Sequence, residues 1–193
     1  MRNLLDTLYR VSGGAAALCL LLIAGVVLAQ VGANAIDALA RAVTGTAIGL
    51  VIPSYSDFAG FFLAGASFLA LAHTLRHGGH IRVSLLLGRF RPSARRWIEL
   101  LCLLVALSLA LTFAWHTVLL VAESWEYNDL SPGMVAVPLW IPQSVMAAGL
   151  LVLNVALVDE LVTLLRGGTP EYMANDLAEH RLAETADGAA DEI

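Results

Sequence analysis

Four long apolar runs constrain this chain more than any other feature: residues 13–31, 55–75, 97–121 and 141–165. A hydrocarbon core about 30 Å thick is crossed by roughly 20 helical residues, and each run is of that order. Charged residues are few within them and lie mostly near the ends, as Asp57, Glu99, Asp159 and Glu160 do. A membrane barrel would instead show strands of about ten residues alternating in polarity. Helices satisfy their backbone hydrogen bonds internally, so the runs predict an all-α integral membrane protein with four spans. A charged fraction of 14% agrees, well under the roughly 25% of soluble domains.

Orientation follows from arginine, which supplies all 11 basic residues. The connection 76–96 holds Arg76, Arg82, Arg89, Arg91, Arg95 and Arg96, whereas 122–140 holds none and carries Glu123, Glu126 and Asp129. Positive loops stay in the cytoplasm. Both termini and the second loop are therefore expected inside, with the first and third loops outside. Arg2, Arg10, the apolar run and Ala33-Asn34-Ala35 also resemble a signal peptide. The run exceeds the 7–15 residues of such a core, so a retained span is expected.

Two short amphipathic patterns lie between spans. Ile36, Leu39, Ala40 and Val43 share one face opposite Asp37 and Arg41, predicting a short helix along the outer interface. Val83, Leu86, Leu87 and Phe90 repeat the spacing and predict a short cytoplasmic surface helix, its arginines toward lipid headgroups. Pro132, Pro138 and Pro142 exclude regular helix from most of the segment before the fourth span, which Trp125, Tyr127 and Trp140 flank as an interfacial belt. The membrane domain is expected over 1–166. Residues 167–193, with seven acids from 171 onward against Arg181, are expected to form a solvated tail.

Candidate chemistry is sparse. His73 and His77 have the i, i+4 spacing of zinc ligands, with His80 as a third. Thr74 stands where a metallohydrolase carries its glutamate, and no Cys, Asp or Glu lies in 58–98. Haem ligation by His73 and His116 is disfavoured, because counting from the ends of their antiparallel spans separates them by about 25 Å. Gly78-Gly79 lacks the surroundings of a phosphate loop and reads as a helix cap. Cys19 and Cys102 read as small buried hydrophobes. His116, Asn154 and Asp57 read as partner-facing hydrogen-bonding groups. Gly60, Ala64, Gly65, Ala66 and Ser67, with Gly25 and Ala29, suit close helix packing. No cofactor, metal or nucleic acid is implied. The residues point to an auxiliary membrane subunit, the rival being a stand-alone four-span cofactor or redox protein.

The stretch LRHGGHIRVSLLLGRFRPSARRWIELL resembles the signature of the small membrane subunit, DctQ-like, of tripartite ATP-independent periplasmic (TRAP) transporters. Arg76, Gly78, His80, Ile81, Arg82 and Val83 match it; Ser131, Gly133, Pro138, Trp140, Ile141, Pro142 and Gln143 resemble the family's segment before the last span. The likeness runs from Gly13 to Arg166. It departs at Gly79 and Ser84, where acids are common, and at Tyr55-Ser56-Asp57. The resemblance implies a non-catalytic subunit, in a bacterial inner membrane, that scaffolds a larger membrane subunit and helps dock a periplasmic solute-binding protein. That larger subunit would hold the substrate and sodium sites. Arg76, Gly78, His80, Arg82, Pro138, Trp140, Pro142 and Gln143 are then the candidate family-motif or interface residues.

Overall fold

The computed structural model describes the backbone of residues 2–46, 48–77 and 92–168, and side chains within 4–46, 48–77 and 96–168. The described residues form four long helices: α1 (Arg2–Thr44), α2 (Tyr55–Arg76), α3 (Pro92–Glu126) and α4 (Trp140–Leu165). Each is long and apolar enough to cross a membrane. The surface helix expected around Val83–Phe90 lies outside the described residues, as does the tail from residue 169.

The largest departure from expectation is in α1. Residues 36–43 form no separate interfacial helix; α1 runs unbroken through them for 43 residues. Residues 36–43 contain neither proline nor glycine, so the hydrogen-bond ladder simply continues through them. Pro142 falls inside α4, in the first turn, where a missing amide donor costs nothing. Pro92 likewise opens α3.

The helices do not close into a bundle. α1 packs on α2, α2 on α4, and α4 on α3, while α1 barely touches α4. The result is an open layer in the spatial order α1, α2, α4, α3. α4 is the most buried of the four, with 39% of its most apolar part covered, against 11% for α1 at the edge. One core joins Leu103 and Ala110 of α3 to Leu157 and Leu164 of α4; another joins Tyr9 of α1, Ala72 of α2 and Ala156 of α4.

Small residues permit these contacts. A methyl added at Gly149 of α4 would lie 2.5 Å from the backbone carbon and oxygen of Phe68, so the α2–α4 approach requires glycine there. At Gly65, an added methyl would meet Cys19 of α1 and Val145 of α4, each at 3.3 Å. The predicted cluster is thus split: Gly65 and Ala66 are buried between helices, whereas Gly60 and Gly25 face open space. Cys102 is exposed and Cys19 only partly covered, which corrects their assignment as buried. The layer is one helix thick, so residues on an edge helix have no second neighbour to cover them.

Candidate functional site

At one end of the layer, the first two helices are tied by polar groups. Arg76, the last residue of α2, is buried and donates a hydrogen bond to the carboxylate of Asp6. Its guanidinium also lies over the Tyr9 ring, 4.8 Å from the centroid, a cation–π distance. Arg76, a candidate family-motif or interface residue, is thus turned into the chain's own fold. Nearby, the Ser12 hydroxyl donates to the Leu69 carbonyl at 2.6 Å, and His73 packs against Gly13, where an added methyl would approach its ring to 2.8 Å. Asp6 drew no attention in the sequence, because a lone acid ahead of a span reads as solvated. Its i+3 spacing to Tyr9, on the stripe that continues through Ser12 and Ala16, is the signal that could have found it.

His73 and His77 stack with centroids 4.1 Å apart, and a His77 ring nitrogen is engaged with the His73 carbonyl at 2.9 Å. Among the described residues no group of three His, Cys, Asp or Glu side chains could hold a metal. The helix register revises the separation of His73 from His116. Asn154 contacts Ala110 across α3 and α4, and Gly149 meets Phe68 across α4 and α2. That places His116 level with Phe68, about 8 Å from His73 along the axes rather than about 25 Å. Counting from span ends failed because α3 is longer than α2 and overshoots it. α4 stands between the two helices, and His116 is exposed on the far one.

The opposite end is built by the segment between α3 and α4. Leu130 and Pro138 pair as an isolated antiparallel bridge, with Ser131 N–H donating to Val137 O and Leu139 N–H to Asp129 O, both at 2.9 Å. The Ser131 hydroxyl closes the turn, accepting from Val137 N–H at 3.0 Å and donating to Val135 O at 3.2 Å. This loop is anchored to the start of α2: Val135 N–H donates to the Ser54 hydroxyl at 2.9 Å. Gly133 lies so close to Asp57 and Ser54 that a side chain there would collide with both. Trp140 opens α4 and meets Trp125 edge-on, centroids 4.8 Å apart. Pro142 lines an apolar cleft of about 270 Å³ with Phe58, Phe61, Phe62, Gly65 and Val145. The side-chain oxygen of Gln143 is buried and accepts no hydrogen bond from the described residues.

The described motif residues therefore do not converge. Pro138, Trp140, Pro142 and Gln143 gather at the loop end, and Arg76 sits at the other, roughly the 33 Å length of α2 away. Gly78, His80 and Arg82 lie outside the described residues. Of the three intramembrane polar groups, Asn154 is buried and donates to the carbonyls of Ala110 and Leu150, so it joins α3 to α4 and does not face a partner. Asp57 is half-buried over Gly133. Only His116 is exposed. Arg96 donates to the Leu164 carbonyl at 3.0 Å, placing its charge at the negative end of α4.

No curated protein matches the chain. A family model does: that of the tripartite ATP-independent periplasmic transporters, DctQ component, over residues 19–167. The matched stretch covers more than half of the chain, including most of α1, all of α2, α3 and α4, and the loop that carries Ser131 and Gly133. The chain belongs to the DctQ family, the small membrane component of TRAP transporters.

Proposed function

We propose that this chain is the scaffold-forming small permease subunit of a sodium-coupled importer of an organic solute. The observation that carries the reading is the family match laid on an open layer that leaves apolar side chains exposed along all four helices. Helices at an edge, such as α1 and α3, have faces that another membrane protein can cover. A large membrane subunit occupies them in this reading, holds the substrate and the coupling ion, and moves against this static layer. The chain itself performs no catalysis.

The termini lie in the cytoplasm and the ordered loop 127–139 faces the periplasm, following the arginine asymmetry between the two longest connections. The loop's anchoring to Ser54 suits it to present a fixed surface to a periplasmic solute-binding protein.

The test is binding-protein-dependent uptake in vesicles containing both membrane subunits. Uptake is expected to need an inward sodium gradient and to stop when this chain is omitted. Uptake at full rate by the large subunit alone would contradict the proposal.

A further inference from the structure

α1 is far longer than a membrane requires. A helix of 43 residues is about 64 Å long, and even at a steep 40° tilt it rises about 49 Å, beyond the 40–45 Å of a bilayer with its headgroups. It cannot lie flatter, because it packs antiparallel along α2: Tyr9 meets Arg76, Ser12 meets Leu69, and Gln30 meets Ile52. Its apolar run ends near Val31. The following residues to Thr44 therefore stand clear of the hydrocarbon, on the side of the 127–139 loop.

The extension has two unlike faces. Gln30, Asn34, Asp37 and Arg41 continue the stripe that lower down packs on α2, and here they meet the returning chain. Gly49 N–H donates to Asp37 at 2.7 Å, Ile52 N–H donates to Gln30 at 3.0 Å, and Gln30 donates to Asn34 at 3.0 Å. Polar groups on this face are thereby used internally. The reverse face carries Ile36, Leu39 and Val43, with Leu39 66% and Val43 77% exposed. It prolongs a ridge that begins inside the membrane at Leu18, Leu21 and Leu28. Gly25 and Gly32 lie on that ridge with nothing near them.

Lipid could cover the lower ridge but would not reach its top, and a persistent apolar ridge in water marks a protein interface. A soluble partner that comes and goes fits such a surface poorly, since transient interfaces are no more apolar than ordinary surface. Continuity from the bilayer into water instead asks for an occupant that is itself membrane-embedded and rises with α1. We infer that the Leu39–Val43 face of the α1 extension is a permanent docking surface for the large membrane subunit. The inference rests on the functional reading above and adds the surface to it.

The experiment uses the complete transporter, with a photo-crosslinking phenylalanine analogue at Leu39 or Val43 and an affinity tag on this chain. Irradiation is expected to give a covalent adduct with the large subunit from either position. The double variant Leu39→Asp/Val43→Asp is expected to insert normally and to recover about tenfold less large subunit. If the large subunit copurifies but the adducts form only with the solute-binding protein or lipid, or not at all, the inference fails and the functional reading stands. Loss of membrane insertion in the double variant would place the extension in lipid and also overturn it. If no large subunit copurifies with the unsubstituted chain, both fall.

Discussion

Arg76 and Asp6, seventy residues apart, meet at the end of the α1–α2 pair, where the guanidinium also covers Tyr9. The contact fixes the register of two helices that otherwise meet through small and apolar side chains. Asp6→Asn is expected to lower stability by about 1–3 kcal/mol, the range for a hydrogen bond to a charged group, at the low end because Asp6 is partly exposed. Thermal unfolding in mild detergent measures it. The double variant Asp6→Asn/Arg76→Met should lose less than the two single losses added together. Strict additivity would show that the two side chains are not coupled.

Gly149 tests the packing of α4 on α2. Gly149→Ala places a methyl 2.5 Å from Phe68 backbone, so the helices must separate, at an expected cost of about 1–3 kcal/mol. Gly60 faces open space on α2, and Gly60→Ala should be neutral or stabilise by up to about 1 kcal/mol. Unfolding midpoints of the two variants should move in opposite directions, or only the first should move.

Asn154 was suspected of function because polar groups are rare in hydrocarbon. Its inward hydrogen bonds give it a structural role. Asn154→Leu is expected to cost no more than about 2 kcal/mol, as interhelical hydrogen bonds in membranes contribute modestly. Uptake normalised to assembled complex should be unchanged. A collapse of uptake in a fully assembled complex would give Asn154 a role in transport beyond packing.

The histidine pair gives a sharper contrast. With the rings stacked and His77 engaged on the helix backbone, His77→Ala is expected to leave assembly and uptake unchanged. Added zinc should not shift the unfolding midpoint. A zinc-dependent rise that vanishes in the variant would revive the metal reading.

The four spans were legible because apolar length is a property of contiguous sequence. The loop's glycine at 133 and serine at 131 were legible as a family pattern, and the structure supplies the reason in Asp57, Ser54 and Val137. What stayed hidden depends on register between helices. The Asp6–Arg76 contact, the Gly149–Phe68 approach and the level of His116 all follow from how far one helix slides along another. Periodicity within a helix carries no such information. The extension of α1 was misjudged for a different reason: an amphipathic stripe reads as an interfacial helix, and nothing local says that the helix before it never ends.

The central claim is that this chain is a subunit and not an autonomous protein. Affinity purification of the tagged chain from membranes that express its natural neighbours, in mild detergent, tests it most directly. The account predicts a stable complex with a larger polytopic membrane protein. Recovery of this chain alone, monodisperse and free of any membrane partner under conditions where both are expressed, would contradict it.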